Sequence, residues 1–292
     1  MRSVPCTGSS YRNPGTGAGL FAAIRDIIRA MGARLRGWLT TIYAGVFMAI
    51  FFFGSLPVMI VTRSGALPMW FARKAWAPWG LWLAGVDLRV LREGPMPVGP
   101  AIYAANHSSV IDIWVAIATI PRSVRFIAKA EVFSWPVFGW YMTLGGHVPV
   151  DRRDHSRAVA SLARAAEMVR GGTSLIVFPE GTRSRDGRIH AFKKGPFVIA
   201  EQAGVPVVPV AITGAGTVTP KNLLHVHPGP VTVTFGEPVR AVDFPGRDGL
   251  LRAVRARIVA MDRAAGGPGG SDEPAVAARG FEGDAGASSP GV

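Results

Sequence analysis

The sequence predicts an α/β fold in which a mostly parallel sheet is flanked by helices and follows an N-terminal membrane-embedded helical segment. Three observations predict this fold. Strand-like and helix-like patterns alternate over residues 87–261, which is typical of a parallel sheet with crossover helices. A long stretch without charged residues precedes them, at 37–62. Polar clusters follow three of the predicted strands, where the carboxyl ends of parallel strands share one edge of a sheet.

The charge balance narrows the classes of function. The 292 residues include 32 Lys and Arg against 19 Asp and Glu, a net charge of +13, although only 17% of residues are charged. A typical soluble domain has about 25% charged residues. The single cysteine, Cys6, excludes a disulfide scaffold. A basic chain with surplus apolar residues favours an anionic membrane surface or a phosphorylated substrate, with nucleic acid as a rival.

Both ends of the chain have the composition of unstructured segments. Residues 1–19 are rich in Gly, Ser, Pro and Asn without an apolar period, which predicts a disordered leader. Residues 262–292 are rich in Gly, Ala and Ser and carry five acidic and two basic side chains. Because neither segment can bury a core of its own, we also predict a disordered tail over 262–292.

Residues 20–86 are predicted to be membrane-associated helices. The uncharged stretch Gly37–Thr62 would form a helix of roughly 39 Å, longer than the ~30 Å of hydrocarbon in a bilayer. Gly54 and Pro57 interrupt it, and basic residues flank both of its ends. A buried core helix would be shorter than this stretch. A signal peptide is disfavoured because no small-residue cleavage site follows.

The second apolar stretch, Leu67–Val86, has a different composition. It contains four tryptophans and the cations Arg73 and Lys74. Tryptophan and basic side chains favour the headgroup level of a membrane. We therefore expect a helical pair dipping into the cytoplasmic leaflet of the cell inner membrane, with one true crossing as the alternative.

The domain predicted over 87–261 contains short apolar or β-branched runs, bounded by Gly, Pro or polar residues, which predict strands. These runs are Ala101–Ala105, Val124–Ala128, Thr173–Phe178, Val205–Ile212 and Val231–Phe235. The clearest helix pattern is Ser156–Arg170, with one apolar face and Gly171-Gly172 at its end.

His107 and Asp112 follow the first of these strands. Five residues apart, they would lie on different faces of a straight helix, so they can meet only if His107 is in the loop and Asp112 in the first helical turn. Asp112 would then fix the tautomer of the imidazole, whose other nitrogen could take a proton. The alternative is structural: Ser109-x-x-Asp112 resembles a capping box, and His107 could be an ordinary loop histidine.

The run Phe178–Ser184 follows another strand. Pro179 and Gly181 are typical of a turn. The turn would also expose backbone N–H groups, hydroxyls and Arg183, which can bind a phosphate through two parallel hydrogen bonds. In such a setting Glu180 could accept a hydrogen bond from a substrate hydroxyl.

Together these residues resemble the conserved blocks of the glycerolipid acyltransferase family. His107 and Asp112 are similar to its His-x4-Asp block, and Phe178–Ser184 to its phosphate-binding block. Lys129-Ala130-Glu131 and Gly146–Arg152 resemble the second block, and Val205–Val210 the fourth. The resemblance covers about residues 100–212. Pro149 departs from the pattern, at a position where the family usually has an aromatic or aliphatic residue.

The resemblance implies transfer of an acyl group from acyl-CoA or acyl carrier protein to the sn-2 hydroxyl of 1-acyl-glycerol-3-phosphate, giving phosphatidic acid, with no cofactor. It implies that His107 is the general base and Asp112 its orienting partner. The implied substrate-binding residues are Lys129, Arg152, Glu180, Gly181, Thr182, Arg183 and Ser184.

Other functions remain as alternatives. The acceptor could be another lysophospholipid or a lyso-aminolipid, and a protein of another class could bind anionic membranes without chemistry. A serine hydrolase is disfavoured because the chain has no Gly-x-Ser-x-Gly elbow. No carboxylate or cysteine near His225 and His227 completes a metal site, so no metal is expected. Nucleic-acid binding fits poorly, since no basic helix or aromatic platform is present.

Overall fold

The computed structural model describes residues 16–151, 155–220, 224–244 and 246–277. In this part of the chain a seven-stranded sheet has the order β1-β7-β6-β2-β5-β3-β4. The strands are β1 (Val86–Arg92), β2 (Ile102–Ala105), β3 (Val124–Lys129), β4 (Val148–Val150), β5 (Ser174–Val177), β6 (Val207–Thr213) and β7 (Gly229–Phe235). The α-helices are α1 (Thr16–Thr62), α2 (Ala66–Phe71), α3 (Ala77–Leu83), α4 (Asp112–Thr119), α5 (Phe138–Leu144), α6 (His155–Arg170), α7 (Gly195–Ala203), α8 (Ala215–Val218) and α9 (Gly246–Ala264).

The predicted α/β fold is confirmed, with a mixed but mostly parallel sheet. Strands β2 to β6 are parallel, whereas β7 runs antiparallel to β6 and pairs in parallel with β1. The strands β2, β3 and β5 therefore end at the same edge of the sheet. The sequence patterns missed β1 and β4, which both lie at the margins of the sheet. Pro149 is tolerated in β4 because an edge strand pairs on one side only.

The sheet has an apolar core on each face, because side chains alternate along its buried strands. Tyr103 and Ile176 face the core formed with α3 and α4. Ile102 and Leu175, their neighbours in sequence, face the core formed with α6, α7 and α9. All four side chains are buried, so the central strands are covered on both faces.

Helix α1 differs from the sequence prediction in its continuity. It runs from Thr16 to Thr62 without a break and contains Pro57 within it. It also includes residues 16–19 of the predicted leader, whose other residues lie outside the described part. Within the described residues, Arg34–Thr62 is the one helical segment long and apolar enough to cross a membrane. Large side chains on it, among them Trp38 and Phe53, are exposed, which supports membrane association rather than a core helix.

The stretch predicted as an interfacial helix consists of three helical pieces. Between α2 and α3, residues Ala72–Trp76 form a π-helical turn. One side of this stretch packs into the protein, where the ring of Trp76 lies 5.7 Å from that of Trp114 in an edge-on arrangement. The other side is exposed and carries Trp70, Trp79 and Trp82. Only this second side matches the interfacial prediction.

The predicted disordered tail is wrong for residues 262–277. Helix α9 continues to Ala264, and Asp262 is buried. Residues 269–277 then form backbone hydrogen bonds with Ile189 and Phe192. Residues 278–292 lie outside the described part. Composition failed here because these contacts are made mostly by main-chain groups, which any residue type supplies.

Candidate active site

The candidate active site begins where β2 ends, at Asn106. The Asn106 amide donates to the Ile212 carbonyl at 2.9 Å, and its side-chain oxygen accepts the Ile212 N–H at 2.7 Å. The side chain thus continues the β2–β6 ladder by one rung after the backbone has left the sheet. This contact fixes the point at which the chain turns toward His107.

His107 and Asp112 are paired. Nδ1 of His107 lies 2.8 Å from Oδ2 of Asp112, which is the first residue of α4. The N–H groups of Ser108 and Ser109 donate to the same oxygen at 2.7 and 2.8 Å. The catalytic and the capping interpretations are therefore compatible, because one carboxylate oxygen contacts both the imidazole and the backbone N–H groups of the turn. Asp112 is fully buried, whereas the His107 side chain is 15% exposed.

Glu180 is placed differently from the implied substrate contact. Its Oε1 accepts the His107 N–H at 2.9 Å, and its Oε2 accepts the His190 N–H at 3.0 Å. Burial raises the pKa of this carboxyl above its usual value, although the two N–H donors oppose the shift. With both oxygens engaged by the backbone, Glu180 is a residue that positions the His107 loop.

The remainder of the 178–184 turn divides into buried and exposed parts. Gly181 has a φ of +76°, a conformation that glycine adopts without strain, and its N–H closes the turn onto the Phe178 carbonyl. Ser184 is buried: its N–H donates to the His107 carbonyl at 2.8 Å, and its hydroxyl donates to Asp186. The implied role of Ser184 in binding substrate is therefore not supported. Thr182 and Arg183, which directly precede Ser184 in the chain, are exposed.

Lys129 ends β3 and is exposed at the edge of the sheet that also carries His107 and the 178–184 turn. Arg152, the other basic residue implied to bind substrate, lies outside the described residues.

In the described part of the chain, no group of three or more His, Cys, Asp or Glu side chains could hold a metal. His225 and His227 lie in the loop before β7.

An apolar cavity of about 340 Å³ opens beside His107. The imidazole stacks on Phe178 with ring centroids 4.2 Å apart, and both side chains line the cavity. Its walls come from α1 through Ala44 and Phe51, from the π-helical turn, and from α4, β3 and α5. Sequence reasoning missed this cavity, because its walls come from segments up to about 130 positions apart. The apolar positions themselves are visible in the sequence.

His147 also lines the cavity and is 7% exposed. Its Nδ1 accepts the Phe126 N–H at 3.0 Å, so the neutral ring carries its proton on Nε2. Burial and the nearby Arg125 lower the pKa of His147 to about 3. A histidine within the otherwise apolar run 146–150 was the signal that could have found it.

The chain is similar to known acyltransferases. A family model described as Acyltransferase matches residues 88–213. A chloroplastic 1-acyl-sn-glycerol-3-phosphate acyltransferase of Brassica napus is 35% identical over 215 residues, which cover 72% of this chain. The 1-acyl-sn-glycerol-3-phosphate acyltransferase beta of Homo sapiens is 31% identical over 201 residues, covering 66% of this chain and 71% of the human protein.

A solved structure is similar as well. The crystal structure of the 1-acyl-sn-glycerophosphate acyltransferase PlsC from Thermotoga maritima aligns with a TM-score of 0.65 and 28% identity. The alignment covers 82% of this chain and 97% of that one. The chain spans 62% of the Brassica protein and 60% of a relative from Arabidopsis thaliana.

Proposed function

Because the chain belongs to the 1-acyl-sn-glycerol-3-phosphate acyltransferase family, we propose that it transfers an acyl group to the sn-2 hydroxyl of 1-acyl-glycerol-3-phosphate, giving phosphatidic acid. The donor is acyl-CoA or acyl carrier protein, and no further cofactor takes part. The observation that carries the proposal is the His107–Asp112 pair at the wall of an apolar cavity. The pair supplies a base, and the cavity accommodates an acyl chain.

In the proposed reaction, Nε2 of His107 takes the proton of the acceptor hydroxyl while Nδ1–H donates to Asp112. The hydroxyl oxygen forms a bond to the thioester carbonyl carbon, giving a tetrahedral intermediate. Collapse of the intermediate breaks the carbon–sulfur bond, and the thiolate receives the proton from the imidazolium. The buried Asp112 carboxylate stabilises the imidazolium while it holds this proton.

The acyl chain of the donor would occupy the cavity, since its lining is apolar apart from a few side chains. The stacked Phe178 would hold the imidazole at the cavity wall, where the thioester carbonyl must lie. The phosphate of the acceptor would bind Arg183, which lies two residues beyond the Gly181 turn and is exposed to solvent. Lys129, exposed at the same edge, would add positive charge, and the family resemblance implies the same role for Arg152.

We further propose that α1 and the exposed tryptophans of 66–84 hold the catalytic domain against the cytoplasmic side of the cell inner membrane. The exposed apolar side chains of α1 and Trp70, Trp79 and Trp82 support this placement. A two-tailed product could then move laterally into the bilayer. Either a helical pair in one leaflet or a single crossing satisfies these observations.

The test is an assay of membranes that contain the full chain, given acyl-CoA or acyl carrier protein donors and a panel of lysolipids. Free thiol and phosphatidic acid should form together with the wild-type chain. They should not form with His107→Ala, while the exposed control His227→Ala keeps wild-type turnover. Near wild-type turnover of His107→Ala would refute the proposal. Membrane binding without any release of thiol would instead indicate a non-catalytic lipid-binding protein.

A further inference from the structure

The C-terminal residues 269–277, which we name the strap, form backbone hydrogen bonds with the segment 189–192. The N–H of Ile189 donates to Gly269 at 2.9 Å, and the Ile189 carbonyl accepts from Ser271 at 3.0 Å. The N–H of Phe192 donates to Ala275 at 2.9 Å, and its carbonyl accepts from residue 277 at 3.0 Å. The strap thus engages both backbone groups of Ile189 and of Phe192.

The same segment also binds the 178–184 turn, through the backbone N–H groups of His190 and Lys193. The N–H of His190 donates to Glu180 at 3.0 Å, and the N–H of Lys193 donates to the Pro179 carbonyl at 2.9 Å. The segment 189–193 therefore lies between the strap and the turn. Without the strap, the backbone groups of Ile189 and Phe192 would lose these four bonds.

Glu180 connects the segment 189–193 to His107, the proposed catalytic base. One of its carboxylate oxygens accepts from His190 and the other from the His107 N–H at 2.9 Å. We propose that the strap is a positioning element of the acyltransferase site, which acts on His107 through His190 and Glu180. This inference rests on the proposed function.

Charged side chains reinforce the contact. Nδ1 of His190 lies 3.3 Å from Glu273 of the strap, and Nε2 lies 2.9 Å from Asp186. Asp186 also accepts the hydroxyl of Ser184, whose N–H donates to the His107 carbonyl. From α9, Arg255 donates to the Ile189 and His190 carbonyls. The backbone of His107 is thus fixed at its N–H through Glu180 and at its carbonyl through Ser184.

The strength of the contact between the strap and the segment 189–193 depends on pH, because His190 is titratable. Burial lowers the pKa of His190, but Asp186 and Glu273 outweigh burial, so the net shift is upward. Arg255 faces the backbone carbonyl of His190, and Glu180 faces its backbone N–H. A raised folded-state pKa means that the stabilisation is full below the ordinary value of 6.5 and is lost as pH rises through the folded value. The strap should therefore hold the site less firmly at alkaline pH.

The first experiment compares two shortened chains. Ending the chain after Gly267 removes the strap, whereas ending it after residue 277 keeps the strap and serves as the matched control. We expect kcat to fall about tenfold or more without the strap, and KM for the lysolipid to stay within about twofold, because the substrate contacts remain. Hydrogen exchange over 178–193 should rise in the strap-free chain only. A kcat within twofold of the control would overturn the proposal.

The second experiment tests the proposal without shortening the chain, and so remains valid if the strap-free chain does not fold. Glu273→Ala is compared with Asp272→Ala, a neighbouring acid that is fully exposed and 3.8 Å from Arg188. We expect Glu273→Ala to move the alkaline limb of the kcat profile down by about 0.3 to 0.7 pH unit, as for an exposed ion pair. A purely structural loss would lower kcat equally at every pH. Identical profiles of the two variants, or a wild-type profile that is flat above pH 7, would overturn the role of Glu273.

The two proposals can fail separately. If the wild-type chain transfers no acyl group, the proposed function fails, and hydrogen exchange alone reports on the strap. If the wild-type chain is active and the strap-free chain is equally active, only the strap proposal fails.

Discussion

Oδ2 of Asp112 lies 2.8 Å from Nδ1 of His107 and accepts two backbone N–H groups of the same turn. The oxygen that orients the imidazole is thus itself held by the chain between the two residues. The two backbone bonds therefore help to fix the spacing of His107 and Asp112. In the described part of the chain, the other oxygen of Asp112 is buried without a hydrogen-bond partner.

Asp112→Asn should separate the two roles of this carboxylate. An amide oxygen can still accept from Ser108 and Ser109, so the turn is retained, but a neutral amide stabilises an imidazolium poorly. We expect kcat to fall about 100- to 10,000-fold with a small change in Tm. Asp87→Asn, an exposed change on β1, is the control. Normal kcat in a folded Asp112→Asn protein would contradict the assigned role.

Glu180→Gln tests whether this residue positions His107 or contacts the acceptor. Glutamine has one acceptor oxygen in place of two, so one of the N–H groups of His107 and His190 is left unpaired. We expect kcat to fall about tenfold with little change in KM for the lysolipid. A large rise in KM at unchanged kcat would restore the role that the sequence predicted.

Arg183→Ala tests the phosphate site. Loss of a charge-assisted hydrogen bond costs about 1.5–3 kcal/mol, so KM for lysophosphatidic acid should rise about 10- to 100-fold. The rate with monoacylglycerol, which has no phosphate, should be unaffected. Arg252→Ala, exposed on α9, controls for the loss of one positive charge. Equal effects on both acceptors would exclude Arg183 as the phosphate ligand.

Ala44→Phe tests the cavity. The added ring would fill space between α1 and the sheet, so turnover of long-chain donors should fall at least about tenfold more than turnover of short-chain donors. Ala49→Phe adds the same ring at an exposed position of the same helix and should leave the preference unchanged. If both variants keep the wild-type profile of chain lengths, the acyl chain does not bind in this cavity.

The lowered pKa of His147 predicts that the folded protein loses stability in acid. Because its folded-state pKa is lowered to about 3, its contribution to stability is full above 6.5 and is lost as pH falls below that value. At pH 5 the loss is about 2 kcal/mol. His147→Asn keeps an acceptor for the Phe126 N–H and cannot titrate, so its Tm should fall less between pH 7.5 and pH 5. An equal fall in both proteins would contradict this.

The sequence predicted strands best where both faces of the strand are buried. Central strands such as β2 and β6 are continuous apolar runs, and they were predicted to within about two residues of their observed bounds. The edge strands β1 and β4 were missed: β1 alternates with charged residues, and β4 has only three residues. A strand that is short or lies at the edge of a sheet is stabilised mainly by pairing with its neighbour. Its own sequence therefore shows only a weak apolar pattern.

The candidate site was also predicted only in part. His107 and Asp112 could be placed together, because strand ends converge in a parallel sheet and a helix start fixes the next turn. The direction of the Glu180 carboxylate could not be predicted. It depends on His190, which in turn is held by a segment whose composition resembles a disordered tail.

The cavity wall has a consequence for the way in which this protein could be altered. Ala44 and Phe51 belong to the same helix that carries the exposed apolar surface. Under the proposed function, one helix would both attach the protein to the membrane and form part of the acyl-chain site. If that function holds, exchanging α1 for a helix of another sequence would change which acyl chains are transferred, and not only how the protein is attached to the membrane.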